Sequence, residues 1–378
     1  MASLTQTDPT KATTEVPATR PPTPVIPPPP HEGECRLVAL SGTMKAAWDR
    51  YVAEHPSGTL FHKSGWHDAI SRAFPHTPYY LIARRAHRTV GVLPLFLVRS
   101  RLAGRLLVSV PYGVGGGAIA DDDSAARILV ERACQLAEEQ RCSLLDLRSA
   151  HAAMSDQTVM DRYVTFDRTL PEREQEVLGW LPRKARAAAR NGRTKYALTV
   201  TWDRSRLRDV WRLYSISMRR LGSLSYPYRF FESLADALGD DVWVSTISRG
   251  GKPVAGLLSF VYADRIMPYF FGSTNAARRC SAANFAYLTL MERAVESGLR
   301  VFDFGRSRKD NKGSYDFKRL HGFAPRPLEY QHYTPVGAAV PNLSPTNPKY
   351  RWARRVWPHL PLFLTQSLGA AVAKHIPG

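Results

Sequence analysis

No run of apolar residues in this chain reaches the roughly 18 that a bilayer-spanning helix requires, so no transmembrane segment is expected. The first residues carry no apolar core after their few charges, which excludes a secretory signal from this reading. Four cysteines (Cys35, Cys134, Cys142 and Cys280) show no CxxC spacing and are read as reduced cytosolic thiols or core residues. Eleven histidines form no HxxxH pair and no His/Cys cluster, so no metal is expected. The Gly-rich stretch VPYGVGGGAIADDD, Val110 to Asp123, lacks the Gly-Lys-Ser/Thr of a phosphate loop and is read as a bend between strands facing a cleft. Acids are scarce as well: 33 Asp and Glu stand against 52 Lys and Arg, a net charge of +19. That excess leans toward anionic partners such as nucleotides, RNA, sugar nucleotides or an anionic membrane surface. An arginine-rich genome composition is the alternative source of the same charge.

What is present is a globular composition, 44% hydrophobic over 378 residues, enough for two domains. Residues 1–33, rich in Pro and Thr, are expected to be a disordered tail. Beyond them the chain repeats itself. RTVGVLPLFLV (88–98) echoes KPVAGLLSFVY (252–262), placing Gly91 against Gly256, and Trp66 matches Phe231 at the same separation. Pro111–Tyr112 matches Pro268–Tyr269, and Asp146 matches Asp303, at a second and slightly shorter separation. Each half reads as two helices (43–54 and 64–73; 205–220 and 228–238), a hairpin, a strand, a helix (124–140; 281–297) and a buried strand ending in Asp. This order suits the α/β GNAT (N-acyltransferase) fold, doubled into a tandem pair. The expected domains are 34–178 and 199–333, joined by a basic linker helix at 179–198 and followed by a basic, apolar tail at 334–378.

The densest stretch is DFGRSRKDNKGSYDFKRLHGFAPRPLEY, Asp303 to Tyr330, with seven Lys or Arg, three Gly and six aromatics or His but no nucleophilic Cys. With LFHKSGWHDAI, VGVLPLFLV, VPYGVGGGAIADD and LPRKARAAARNG, it resembles the FemAB-like and BioF-like acyltransferases, tandem GNAT-fold enzymes, and most nearly the branch associated with exosortase and exopolysaccharide gene clusters. The resemblance runs over about residues 36–333. It implies acyl or aminoacyl transfer to an amine of a cell-envelope or exopolysaccharide precursor, in the cytoplasm or at the inner face of the membrane. Two departures stand out. The long helical-hairpin insertion of the tRNA-dependent peptidoglycan-bridge enzymes is absent, which puts tRNA as donor in doubt, and His321 stands where Trp is common.

Such a transfer needs no covalent enzyme intermediate, because the donor is already activated. The protein must align donor and amine, stabilise an oxyanion and move one proton. From the resemblance, Lys318 of the Phe-Lys pair is assigned to the transfer site, with a surface lysine beside core Phe317 as the alternative. Tyr315 is a proton donor to the leaving group or a packing residue. Arg306, at the end of a strand, suits a phosphate or carboxylate. Asp303 is read as capping the next turn, and Gly313–Ser314 as a turn offering amides to an anion. Arg183, Arg186 and Arg190 share one helical face, which suits a polyphosphate, sugar nucleotide or RNA, or else is a solvated linker face. Arg278, Arg279 and Ser281, as a cap, precede a helix N-terminus that could hold the pyrophosphate of coenzyme A as donor, with no cofactor bound permanently. The tail from Arg351 either lies on an anionic inner leaflet or packs across the domains. The alternative to an enzyme is an accessory protein that binds an anionic glycan or lipid-linked intermediate.

Overall fold

The computed structural model describes residues 34–148, 158–335 and 351–378, so the Pro-rich head lies outside the described residues. The first repeat comprises β1 (Cys35–Ala39), α1 (Lys45–Glu54), α2 (Ser64–Ala73), β2 (Thr77–Pro78), β3 (Leu81–Arg85), β4 (Arg88–Leu93), β5 (Phe96–Ser100), β6 (Gly104–Val108), β7 (Ile119–Ala120), α3 (Asp123–Glu139) and β8 (Leu144–Leu147). A connecting strand β9 (Thr158–Thr169) leads to α4 (Glu174–Trp180) and α5 (Arg183–Thr194). The second repeat follows as β10 (Leu198–Trp202), α6 (Leu207–Arg220), α7 (Tyr228–Leu238), β11 (Val242–Arg249), β12 (Lys252–Tyr262), β13 (Arg265–Ser273), α8 (Asn275–Arg279), α9 (Ala282–Glu296), β14 (Val301–Arg308), α10 (Lys312–Leu320) and β15 (Arg326–Tyr333). After residues outside the description come α11 (Arg351–Val356) and α12 (Leu362–Ala373). The fold is a doubled α/β GNAT fold.

Apolar periodicity explains the elements. In α7, Phe230, Phe231, Leu234, Ala235 and Leu238 recur at helical steps and are all buried. The apolar run of β12 is buried over seven consecutive residues, as expected of a central strand covered on both faces. The first repeat cannot copy that strand. Pro94 lacks an N–H to donate to a ladder, so the equivalent segment breaks into β4, in a four-stranded sheet β1-β3-β4-β7, and β5, in the main sheet.

The main sheet has eleven strands in the order β10-β11-β12-β13-β14-β9-β15-β8-β6-β5-β2. Its centre joins the repeats: β9 pairs antiparallel with both β14 and β15, and β15 pairs with β8. On one side α2 packs against α7, its counterpart. Gly65 permits the approach, since a Cβ there would lie 2.7 Å from the Ala237 carbonyl oxygen. The Trp66 and Phe230 rings meet edge to face at 6.2 Å. Such aromatic pairs anchor a core that draws on both repeats.

Apart from the split of β4 and β5 where the second repeat has the single strand β12, the order of elements repeats, with one correction to the match of residues. Asp146 and Asp303 are equivalent: each alternates with apolar residues packed toward α3 or α9, and each turns to the opposite face. Gly91 and Gly256 lie on corresponding strands but face opposite layers. A Cβ on Gly91 would meet Leu129 of α3 at 2.9 Å, whereas one on Gly256 would meet Val210 of α6 at 3.1 Å. Since α9 is the counterpart of α3, the two glycines are one residue out of register. Both hairpins carry the same irregularity, with Val90 and Val254 as the extra residues, and matching these two positions aligns Gly91 with Ala255 rather than with Gly256.

Candidate active site

Strand β14 carries the site because it is kinked. Its ladder with β9 breaks between Asp303 and Arg306. Gly305 sits there at φ 64°. This is a left-handed conformation that glycine adopts without penalty. The Asp303 carboxylate accepts the Gly305 N–H at 2.8 Å, so it caps the turn as expected, and Arg265 lies 3.4 Å away. Burial pushes the Asp303 carboxyl up, against the Gly305 N–H and Arg265.

Around the break, Lys318 takes up three main-chain carbonyls of β14. Its Nζ donates to the carbonyl oxygens of Phe304 (2.8 Å), Gly305 (3.0 Å) and Arg306 (2.9 Å). Lys318 is buried, which overturns the surface-lysine alternative. Burial lowers its pKa to about 7, with Asp303 opposing and Arg306 reinforcing the shift. An ammonium has three protons. All three are engaged, so in this state none is left for an oxyanion.

The Arg306 side chain enters the junction between the repeats. Its guanidinium stands 4.8 Å from the Tyr163 ring centroid and 5.7 Å from that of Tyr330. Both rings turn a π face toward the cation. The same guanidinium donates to the Tyr330 hydroxyl at 3.2 Å. Tyr330 in turn donates to the Val114 carbonyl at 2.6 Å, and Tyr269 to the Tyr112 carbonyl, so the glycine bend closes the site from the first repeat. No carboxylate among the described residues lies within salt-bridge distance of Arg306.

A second guanidinium, Arg148, lies beside this cage and is almost fully buried. It donates to Asp146 (3.1 Å) and to the carbonyls of Val110 (3.1 Å) and Gly113 (3.0 Å). Burial raises the Asp146 pKa, but Arg148 and His332 outweigh it and hold the value down at about 2. The sequence reading missed Arg148 and the tyrosines. The repeat could have found Arg148, because it follows Asp146 much as Arg306 follows Asp303.

The remaining candidates divide. Tyr315 is on α10, one turn before Lys318; its ring packs on Phe166 at 5.4 Å, and its hydroxyl has no partner among the described residues. Gly313 and Ser314 belong to the first turn of α10 rather than to a separate turn. Asn311 accepts the Ser314 N–H at 3.5 Å and the Ser314 hydroxyl meets Ser307 at 2.9 Å. Arg183, Arg186 and Arg190 project from α5 opposite its packed face of Ala185, Ala189 and Gly192, outside the Arg306 cage and with no carboxylate partner among the described residues. Arg278 and Arg279 are exposed on α8. Ser281 holds the N-cap position of α9 in a left-handed conformation (φ 57°) and its side chain caps nothing, contrary to the expectation from sequence. His321 is buried, with Nδ1 2.7 Å from the Phe317 carbonyl and Nε2 3.0 Å from Asn284 Nδ2; a neutral ring donating through Nδ1 satisfies both, and burial lowers its pKa. Among the described residues no cluster of His, Cys, Asp or Glu could hold a metal ion.

One further feature completes the geometry. β13 and β14 run parallel but pair only at Arg265–Val301 and Ile266–Phe302, then separate. Past Phe302, β14 runs to the Gly305 kink with no further pairing to β13.

Residues 180–319 match the GNAT acetyltransferase domain family, a span that includes α5, the splayed strands and Lys318. No curated protein sequence matches the chain. Among solved structures, FemX is similar at a TM-score of 0.58 with 16% identity, covering 78% of this chain and 96% of its own. L-PGS from Bacillus licheniformis is similar at 0.51 with 13% identity, covering 92% of this chain and 100% of its own. The C-terminal domain of a putative lysylphosphatidylglycerol synthetase from Agrobacterium fabrum is similar at 0.50 with 14% identity, covering 75% and 92%. These likenesses establish the shared fold, and the domain match supports an acyltransferase.

Proposed function

We propose that the protein transfers an acyl or aminoacyl group directly to an amine of a cell-envelope or exopolysaccharide precursor. The carrying observation is Arg306: a guanidinium without a carboxylate partner, caged by tyrosines at the kink of β14, beside splayed strands. Arg306 is half-buried, and withdrawing a cation from water without a counter-ion is unfavourable, so its place is best explained by an anion that arrives with substrate. The amine nitrogen attacks the donor carbonyl carbon and a C–N bond forms. The C–S bond of a thioester, or the C–O bond of an aminoacyl ester, breaks. The amine gives up one proton and the leaving thiolate or alkoxide receives one. The exposed backbone edges between β13 and β14 suit an extended acyl-carrying arm, and Arg278 and Arg279 near the α9 N-terminus suit its pyrophosphate. Lys318 is assigned as the residue that fixes the kink and through it Arg306, and Tyr315 as the nearby hydroxyl able to supply a proton. The likeness to the C-terminal domain of a putative lysylphosphatidylglycerol synthetase supports testing aminoacyl donors beside acyl-CoAs.

The test is mass spectrometry of acceptor amines, including sugar-nucleotide amines, after incubation with acyl-CoAs or aminoacyl-tRNA. The expected product is an amine heavier by one acyl group, with carrier released one for one. Binding of the acceptor with no product from any donor would instead make this an accessory binding protein for an anionic glycan or lipid-linked intermediate.

The unpaired face of α5 is proposed to steer the anionic substrate. Arg183, Arg186 and Arg190 changed together to Gln should weaken substrate binding about tenfold at low salt, and the difference should fade at high salt as screening takes over. Stability should move by roughly 0.5 kcal/mol or less per exposed site. Equal affinities at low salt would return α5 to a solvated linker.

A specific observation favours membrane contact. Residues 331–378 contain no acid. One face of α12 exposes Phe363 (65%), Leu364 (38%) and Leu368 (46%), while Trp352 of α11 is 75% exposed. Apolar side chains beside arginines suit the interface of an anionic bilayer. Phe363→Ser with Leu368→Ser should abolish co-sedimentation with phosphatidylglycerol vesicles, and wild type that ignores such vesicles at low salt would refute the reading. No helix among the described residues is long and apolar enough to cross a membrane.

A further inference from the structure

The C-terminal segment packs across both repeats. α12 lies against α6, and Gly369 sits so close to Ser225 that a Cβ would come within 2.8 Å of its carbonyl oxygen. The chain then turns into the junction. The Ser100 hydroxyl donates to the His375 carbonyl at 2.7 Å, and the Tyr112 hydroxyl to that of Ala373 at 3.1 Å. Pro377 is buried; its carbonyl accepts the Tyr112 N–H at 2.7 Å and Arg148 Nη2 at 3.2 Å. The same Nη2 donates to a main-chain oxygen of Gly378 at 2.7 Å. Gly378 also borders the other guanidinium: a Cβ on it would lie 3.6 Å from Arg306 Nη2.

Residues 374–378 thus lie beside both arginines, the buried Arg148 and the half-buried Arg306, yet they bring no acidic side chain to them. Of the two guanidiniums, only Arg148 bonds their main-chain oxygens, those of Pro377 and Gly378. Hydrogen bonds from a guanidinium to an anion are roughly twice as strong as those between neutral groups. An anionic ligand that engages Arg148 and Arg306 together would therefore outcompete the segment for Arg148 Nη2 and take the space of Gly378 beside Arg306. We infer that residues 374–378 are a displaceable intramolecular occupant of the Arg148–Arg306 cleft, which covers the site until an anionic substrate, such as a phosphate-bearing acceptor or donor, takes their place. The inference rests on reading the Arg306 cleft as the substrate site.

Phenylglyoxal labelling of individual arginines, quantified by peptide mass spectrometry, tests it without any donor or acceptor. Deleting residues 374–378 should raise the labelling rate at Arg306 about tenfold, while Arg183, exposed on α5, labels equally in both proteins. Inorganic pyrophosphate should protect Arg306 in the deletion variant at concentrations lower than those needed in the full chain. Equal Arg306 labelling with and without the segment would overturn the inference. Should the deletion fail to fold, Ser100→Ala decides: it removes the hydroxyl that holds the His375 carbonyl and should raise Arg306 labelling several-fold, and no change there also overturns it. A failed acyl-transfer assay would count against the proposed function and leave this labelling result standing on its own.

Discussion

Arg306→Met is expected to lower kcat/KM for acyl transfer by two to three orders of magnitude while leaving thermal stability unchanged or slightly improved. The two halves of that expectation have one cause. The guanidinium has aromatic rings and one tyrosine hydroxyl around it but no carboxylate partner among the described residues. An apolar side chain of similar length relieves the folded protein of a poorly compensated cation, and such replacements are often neutral or stabilising. Removing one partner from a desolvated, charge-assisted contact with a substrate typically loses about 2–5 kcal/mol of binding. Arg306→Lys should recover only part of the activity, since a point charge cannot bond two oxygens of a phosphate or carboxylate side by side. Steady-state kinetics with thermal denaturation of the same preparations checks both halves. A variant with parental kcat/KM would remove Arg306 from the site and the proposed function with it.

Lys318→Ala should lose both activity and stability, and that coupling is diagnostic. Three carbonyls of the kinked strand end on its ammonium. Their exposure inside the sheet is expected to destabilise the protein by about 3 kcal/mol, each unsatisfied buried group being worth about 1–3 and water recovering part of it. Relaxation of the kink moves Arg306, so kcat should fall by about a hundred-fold, the order found when a positioned donor is lost. A lysine acting only as a donor to an oxyanion would lower kcat and leave the melting temperature alone. The pH dependence adds a signature. The folded-state pKa lies at about 7, below the usual lysine value of 10.5. Between those values the unfolded chain holds more protons on this group than the folded protein, so its linkage makes stability rise with pH from about 7 toward 10. Relative to Lys318→Met, the parent should therefore gain stability across that window. A flat difference would mean that the ammonium is not desolvated as the structure indicates.

Much of the architecture was legible because periodicity and repetition are local. The helices expected at 64–73 and 228–238 are α2 and α7, and 281–297 is α9 with its end at Glu296 before Gly298. The match of Asp146 with Asp303 found the equivalent strands. It did not reveal the joint. Strand pairing depends on contacts far apart in sequence, and nothing in residues 158–169 announces that β9 lies between β14 and β15. Lys318 was singled out through a family resemblance, but its three carbonyl partners gather around the ladder break at Gly305. Arg148 has no periodicity to mark it, and only the match of Asp146 with Asp303, carried on to the arginine that follows each, points to it.

From the sequence by itself came the doubled α/β fold, the excess of positive charge, the shared arginine face of α5 and the placement of the dense Asp303–Tyr330 segment at the end of a buried strand. Each follows from side-chain spacing within a few turns or from composition, which neighbours in the chain suffice to define. Only the tertiary structure decided that two guanidiniums from different repeats share one tyrosine-lined junction, that Lys318 is buried on a strand kink, and that residues 374–378 reach back to Tyr112 and Ser100. Those are long-range arrangements, fixed when the shared sheet closes and desolvates groups that the chain alone leaves in water.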